Sequence, residues 1–147
     1  MPIDSGMPEK ISGDEYVLHM DEETARVVSR ACELYMRLRC GQFQELRYLT
    51  VMPQGKNDPT FGERLDKCSA ALLEAQKAAF PELNGSSYSH GIGHFRAADT
   101  AWNVYQVVRY VMAWHKHPEG GIPVNFDKPL KYSDAPMPRC EVISHGE

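Results

Sequence analysis

Apolar residues recur at helical spacing along this chain. From Thr24 to about Cys40 the apolar positions follow steps of one, three and four residues, and Asp21 stands before them as an N-cap. After Gly41 a shorter helical segment follows, and it stops before Pro53. The pattern therefore predicts a long helix, a break and a short helix, and then a loop of turn residues.

Two more helices are predicted further along the chain. Thr60 has Glu63 three residues later, which is the spacing of a capping box, and the helical pattern then continues until Pro81. The last helix is predicted from about Arg96 to His115, and its apolar face is the broadest. We expect that helix to be central.

The ends of the chain carry a different pattern. Short β-prone stretches at Tyr16–Met20, Ile122–Phe126 and Cys140–Ile143 predict strands that pair with one another. Residues 1–14 predict a flexible arm and residues 15–147 a single ligand-binding domain. The expected fold class is α+β and mainly α, with two to three long packed helices and a small antiparallel sheet from the N- and C-terminal strands.

Composition agrees with one ordinary domain. The chain has 147 residues, 42% hydrophobic and 24% charged, and it contains no run of eighteen apolar residues and no leader pattern. The four cysteines lack the short spacing of a zinc or redox motif. With a net charge of −4 the chain is not expected to bind a nucleic acid polymer. We therefore expect a cytoplasmic protein without a membrane segment.

Gly91 and Gly93 flank Ile92 just before the last helix, inside a stretch rich in Gly and Ser. Backbone N–H groups and a helix N-terminus together can bind an anion such as phosphate. An ordinary turn is the alternative that we favour, because no strand precedes the element and a third glycine is missing. The element is neither a dinucleotide fingerprint nor a P-loop.

The spacing of the histidines matches no common catalytic or metal-binding motif. His90 and His94 lie four residues apart, but the two glycines between them disfavour the helix that would bring both imidazoles to one metal. His115 and His117 lie two apart, outside any zinc motif. We expect no catalytic residues, no metal and no cofactor.

The arginines and aromatic residues are better candidates for ligand binding than the histidines. Between residues 26 and 47 stand five arginines against two acids, a local charge of +3 in an acidic chain, and guanidinium groups suit phosphate oxygens. A solvated helix face is the alternative for each arginine. On the last helix Trp102, Tyr105 and Arg109 share one stripe that can stack a purine, although aromatics at this spacing are more often core.

Several segments resemble small proteins encoded by bacteriophages and prophages. They are Leu-Tyr-Met-Arg-Leu-Arg-Cys-Gly-Gln-Phe at 34–43, Ala-Trp-Asn-Val-Tyr-Gln-Val-Val-Arg-Tyr at 101–110, Pro-Glu-Gly-Gly at 118–121 and Asn-Phe-Asp-Lys-Pro at 125–129. The resemblance covers about Tyr16 to Val142. Within that group the chain looks most like the Thoeris anti-defence sponges, which bind cyclic ADP-ribose isomers and hold them intact.

The resemblance implies a nonenzymatic, homo-oligomeric viral protein that works in the host bacterial cytoplasm. Its expected ligand is a cyclic nucleotide immune signal, a cyclic ADP-ribose isomer or also a cyclic di- or trinucleotide. Direct inhibition of a host defence enzyme is an alternative function, and a histidine-dependent phosphodiesterase or hydrolase is a second one.

The ligand site is predicted from chemistry, because a phosphate-bearing purine needs guanidinium groups, hydrogen-bonding amides and aromatic rings. Phe95 and Arg96 are the leading candidates, since they lie where the Gly-rich loop meets the last helix. The predicted ligand-binding residues are Tyr88, His94, Phe95, Arg96, Asn103, Arg109, Arg26 and Arg30.

Overall fold

The computed structural model describes residues 13–84 and 88–146. Within them lie four α-helices: α1 (Glu22–Arg39), α2 (Leu46–Leu49), α3 (Phe61–Ala79) and α4 (Arg96–Lys116). Short 3-10 helices cover Phe43–Glu45, Met52–Asn57 and Val124–Phe126. The first twelve residues of the predicted arm at 1–14 lie outside the described residues.

The predicted long helices are confirmed, and the start of α1 shows why. Asp21 accepts a hydrogen bond from the backbone N–H of Thr24 at 2.8 Å, as an N-cap does. Glu22 and Glu23 follow in the first turn, where negative charge favours the helix dipole. The predicted boundaries of α4 also agree with the structure to within a residue.

The chain divides into two compact units. The first unit holds the described residues up to Glu33 together with those from Asp99 onward, and the second unit is Leu34–Ala98. Helices α1 and α4 therefore each contribute residues to both units. The single ligand-binding domain proposed for residues 15–147 stays a prediction.

In the first unit α1 and α4 run antiparallel. The buried Ser29 hydroxyl donates to the carbonyl oxygen of Tyr105 at 3.4 Å, and Lys116 Nζ lies 3.5 Å from the Glu22 carboxylate. The apolar face of α4 supplies the buried valines of this unit, which are Val107, Val108 and Val111. Burial of that face is the main stabilising contribution of the helix pair.

Polar side chains on α4 hold the C-terminal segment. The buried amide of Asn103 donates to the carbonyl oxygens of Ala135 and Pro136 at 3.2 and 3.1 Å. Gln106 donates to the Leu130 carbonyl at 2.7 Å and accepts from the Leu130 N–H at 3.1 Å. These amides satisfy backbone groups that a strand would otherwise direct to a neighbouring strand.

The predicted antiparallel sheet is wrong. Of the described residues, 56% are helical and 1% are strand, and residues 13–84 and 88–146 contain no sheet. Tyr16–Met20 and Cys140–Ile143 are without strand pairing, and Val124–Phe126 is a 3-10 helix. Two physical reasons apply: side-chain amides of α4 take the backbone groups of the C-terminal segment, and its prolines lack the N–H donor that a ladder needs.

In the second unit α3 packs against the 3-10 helix at Phe43–Glu45 and against α2. Gln44 Nε2 donates to the Ser69 carbonyl at 2.9 Å, and Arg47 donates to the Ser69 hydroxyl at 3.3 Å. The predicted turn loop after Pro53 is largely the 3-10 helix Met52–Asn57. The contacts at Ser69 join two consecutive short elements, the 3-10 helix Phe43–Glu45 and α2, to α3.

The capping box predicted at the start of α3 is wrong. The Thr60 side chain makes no capping bond and instead donates to Asp58 Oδ1 at 2.6 Å. Asp58 also accepts from the Thr60 N–H at 2.8 Å and from Arg64 at 2.6 Å. Asp58 therefore holds the start of α3 through hydrogen bonds although it lies before the helix begins.

Among the described helices, none has both the length and the hydropathy for a membrane crossing.

Candidate functional site

The candidate site begins where α1 ends. Gly41 has a φ of +95°, a conformation that costs glycine little because it has no Cβ. Its N–H donates to the Leu38 carbonyl at 3.0 Å, and the N–H of Gln42 donates to the Arg37 carbonyl at 2.8 Å. This is a Schellman motif. It ends the helix immediately after Arg39.

The residues from Tyr88 to Phe95, which we call the 88–95 loop, are tied to this helix end. The His90 N–H donates to the carbonyl of the buried Cys40 at 2.8 Å. Gln76 on α3 donates to the Tyr88 carbonyl at 2.7 Å. The loop is thus held by a backbone hydrogen bond to the residue that follows α1 and by a side-chain hydrogen bond from α3.

Four side chains, Arg39, His90, His94 and Phe95, come together and form what we call the His–Arg cluster. The His90 and His94 rings stack with centroids 4.0 Å apart and planes 9° apart. Phe95 meets both imidazoles edge to face, at 5.4 and 4.4 Å. The Arg39 guanidinium carbon lies 3.7 Å from the Phe95 ring centroid, a cation–π contact.

Exposure differs across the His–Arg cluster. The His90 side chain is only 15% exposed, whereas Arg39 and His94 are exposed residues. Among the described residues no carboxylate pairs with Arg39, which contacts the Phe95 ring. The Arg39 guanidinium and the face of His94 that His90 does not cover are therefore open to solvent. The Phe95 ring contacts both residues.

Glu82 places a negative charge next to His90 in the His–Arg cluster. Its Oε1 lies 2.8 Å from His90 Nε2, so the pair forms a hydrogen bond when that nitrogen carries the proton. The pKa of Glu82 is lowered, first by its own backbone N–H and then by His90. A carboxylate held ionised beside an imidazole favours one tautomer of His90 and fixes the orientation of its ring.

Beside the cluster is a cavity of about 230 Å³. Phe43 lines it and packs edge to face on Phe80, with centroids 5.9 Å apart. Phe80 in turn meets the His90 ring at 5.7 Å. A continuous row of aromatic rings therefore joins the cavity to the His–Arg cluster.

Half of the predicted ligand residues lie in the second unit. His94 and Phe95 belong to the His–Arg cluster. Arg96 is exposed at the first position of α4. Tyr88 is 74% exposed and lines the cavity. The structure thus brings His94 and Phe95 into direct contact and sets Tyr88 at the neighbouring cavity.

The other predicted ligand residues lie in the first unit. Asn103 is 2% exposed, and its amide is used by the C-terminal segment. Arg26 pairs with Glu22 on α1, and Arg30 is exposed without a partner among the described residues. Arg109 donates to the Tyr105 hydroxyl at 2.8 Å and lies 4.5 Å over that ring. These four side chains do not belong to the His–Arg cluster.

Arg39 and Glu82 were missing from the predicted site, and His90 was considered only as a metal ligand or catalytic group. Arg39 was one of five similar arginines, and no local pattern distinguished it. A signal was present in the glycine two residues later, because a helix that ends at Gly41 leaves Arg39 in the last turn. Its contact with Phe95 joins residues far apart in sequence, which spacing cannot show.

The two imidazoles meet although no helix joins them. A turn at Ile92 and Gly93, where Gly93 has a φ of +93°, brings the rings face to face. Imidazole lone pairs lie in the ring plane, and two parallel planes do not direct them to one point. In the described part of the chain, no three His, Cys, Asp or Glu side chains gather as a metal site.

Comparison of this chain with family models, with curated proteins and with solved structures finds no match.

Proposed function

We propose that this protein captures a small phosphate-bearing nucleotide at the His–Arg cluster. The observation that supports this best is the Arg39 guanidinium, which stacks on Phe95 at 3.7 Å and has no carboxylate partner among the described residues. A guanidinium with unoccupied N–H donors suits phosphate oxygens. The contact with the Phe95 ring holds the guanidinium without using those donors.

His94 supplies a second element of recognition. One side of its ring is covered by His90 at 4.0 Å, while the residue as a whole is exposed. The uncovered face can stack on a planar ring, and an N–H group at the ring edge can donate to a phosphate oxygen. Cation, aromatic rings and imidazoles together are suited to a nucleotide more than to an apolar ligand.

The class of nucleotide that we propose comes from the resemblance to Thoeris anti-defence proteins. The ligand is then a cyclic nucleotide immune signal, a cyclic ADP-ribose isomer in the first place, and it is held without being degraded. The protein is then a phage-encoded homo-oligomer that acts in the host bacterial cytoplasm.

The test is a capture experiment with the full chain. The protein is incubated with cyclic ADP-ribose isomers and cyclic oligonucleotides, filtered, and heated, and both fractions are analysed by mass spectrometry. A sponge removes one compound from the filtrate and releases it unaltered on heating. If every compound stays in the filtrate, the proposal is wrong and direct inhibition of a host enzyme becomes the leading function.

Matched variants assign the captured compound to this site. Arg39→Gln removes the cation and is expected to lower affinity about tenfold or more, with little change in Tm because the side chain is exposed. Arg139→Gln is the control, since Arg139 is exposed and unpaired among the described residues. Equal capture by both variants would exclude the His–Arg cluster as the site.

Hydrolysis is a second candidate because His90 and Glu82 form a hydrogen-bonded pair at 2.8 Å. An imidazole oriented by a carboxylate is a common general base. The same experiment distinguishes this function, since hydrolysis gives a new product mass after incubation. Glu82→Gln should then slow product formation, whereas capture without turnover needs no such base.

A further inference from the structure

One face of α4 carries three large side chains that the proposed nucleotide site does not use. Trp102, Tyr105 and Arg109 follow one another at steps of three and four residues, so they lie on the same side of the helix. All three are half-buried. We call them the Trp–Tyr–Arg stripe. The stripe belongs to the first unit, whereas the His–Arg cluster belongs to the second.

The three side chains of the stripe contact one another. The Trp102 and Tyr105 ring centroids lie 5.1 Å apart. Arg109 donates to the Tyr105 hydroxyl at 2.8 Å. Its guanidinium carbon lies 4.5 Å from the centroid of that ring and 5.8 Å from the Trp102 centroid. Two rings and one hydroxyl therefore hold the guanidinium against α4.

The positive charge of Arg109 has no counter-ion within residues 13–84 and 88–146. Its contacts there are the two rings and the hydroxyl, and no carboxylate pairs with it. A half-buried cation has lost part of its hydration, and an anion placed beside it offsets that cost. The stripe is therefore suited to a negatively charged group from outside the chain.

Hydrogen bonding narrows the class of anion. The guanidinium uses one N–H group on Tyr105 and keeps its others, and the Tyr105 hydroxyl, which accepts that bond, still has its own O–H to donate. One guanidinium balances a single negative charge, and its planar fork matches the two oxygens of a carboxylate. No second Lys or Arg belongs to the stripe, so a carboxylate suits it better than a doubly charged phosphate.

We propose that the Trp–Tyr–Arg stripe docks an acidic side chain of a partner protein, whose Asp or Glu carboxylate pairs with Arg109. Charge complementarity identifies this occupant as acidic. Trp, Tyr and Arg are also the residue types that contribute most to affinity at protein interfaces. Here the two rings surround one cation with apolar area on a helix face. This inference is independent of nucleotide capture, because it uses residues of the other unit.

The experiment titrates the ¹⁵N-labelled full chain with the blocked peptide acetyl-Leu-Glu-Leu-Glu-Leu-amide. The readout is the Arg109 Nε–H signal and the Trp102 indole N–H signal. The chain has two tryptophans, so Trp114→Phe assigns the indole signals. The acidic peptide should shift both signals until they saturate. The same peptide with Gln in place of Glu should bind about tenfold more weakly, because a hydrogen bond to an ionised group is stronger.

Variants assign the peptide to the stripe. Arg109→Gln removes the charge and should weaken binding of the acidic peptide about tenfold. Arg109→Lys keeps the charge without the planar fork, so a smaller loss is expected, and it serves if Arg109→Gln does not fold. Arg30→Gln is the matched control, because Arg30 is an exposed arginine of the same unit without a partner among the described residues. Circular dichroism checks the folding of each variant.

Three results would overturn the proposal. The first is equal binding of the acidic peptide by the Arg109 variants and by Arg30→Gln. The second is an equal shift with sodium acetate at the same carboxylate concentration, which would make the ligand a free small acid. The third is a Trp102 signal that moves with protein concentration alone, which would make the occupant a second copy of this chain. Nucleotide capture is measured separately, so failure of either proposal leaves the other standing.

Discussion

At the scale of single residues, Gly41 determines where the site begins. Its φ of +95° allows α1 to end in a Schellman motif directly after Arg39. A Cβ at this position would lie 2.6 Å from the Cδ1 atom of the buried Leu83. Both the backbone conformation and the close approach therefore require glycine here.

We predict that Gly41→Ala lowers the free energy of unfolding by about 2–4 kcal/mol, from positive-φ strain and overpacking together. Urea denaturation measures the change. Gly93→Ala is the matched control, because Gly93 has a φ of +93° but a Cβ added there would meet nothing within 4 Å. The control should lose only about 1–2 kcal/mol. Equal losses would mean that Leu83 moves aside without cost.

At the scale of elements, the start of α3 depends on one carboxylate outside the helix. The pKa of Asp58 falls from its ordinary 3.8 to about 2, first through the Thr60 hydroxyl and then through the Thr60 N–H and Arg64. All three donors favour the ionised form.

The sign of the resulting pH dependence follows from linkage. Because the folded-state pKa is lower than the unfolded one, Asp58 stabilises the protein above pH 3.8, and this contribution is lost as the pH falls towards 2. We predict that Asp58→Asn lowers Tm at about pH 6 and that the difference from wild type disappears near about pH 2. Thermal unfolding followed by circular dichroism tests this. A constant difference across the range would contradict it.

The C-terminal segment is a second element whose position depends on few side chains. Asn103 and Gln106 bind the backbone of Leu130, Ala135 and Pro136 from α4. The segment has no strand partner among the described residues. Its attachment to α4 therefore depends heavily on buried amides.

We predict that Asn103→Leu costs about 1–3 kcal/mol, because it leaves two carbonyl oxygens without their donor. Limited proteolysis should then cleave residues 127–146 faster than in wild type. Asn125→Leu provides the control, since Asn125 is exposed and should change stability by no more than about 0.5 kcal/mol. Unchanged proteolysis of Asn103→Leu would show that other contacts hold the segment.

At the scale of the whole molecule, exposed apolar side chains bear on assembly. Tyr16, Val17 and Leu18 are 95%, 75% and 68% exposed, in an extended segment without strand pairing. Unpaired backbone and apolar side chains together favour association with another chain.

We predict that the protein sediments with a mass above the 16.6 kDa of one chain and that Tyr16→Ser combined with Leu18→Ser shifts it towards that value. Analytical ultracentrifugation over a range of concentrations is the measurement. Tyr132→Ser, at a 58% exposed tyrosine elsewhere, is the control. A wild-type mass of one chain at every concentration would overturn this expectation.

The candidate site was predictable only in part, and particular residues show why. Phe95 and His94 were predicted because they adjoin a glycine-rich loop and a helix start, which are local features. Arg39 was not predicted, because its partner Phe95 lies far along the chain. Glu82 was not predicted either, because no spacing rule joins it to His90, which lies eight residues later. Asn103 shows the reverse case: its amide suits a ligand, but the structure uses it for backbone carbonyls.

The amino-acid sequence by itself determined the helices. Periodic apolar residues, the Asp21 cap and the glycines at helix ends act within a few residues of one another, so their effect is readable locally. Which hydrogen-bond partners the backbone of the terminal segments finds was decided by the tertiary structure alone. The terminal segments have strand-like composition, but buried amides on α4 and prolines take the place of a sheet, since hydrogen bonding depends on what lies nearest in space.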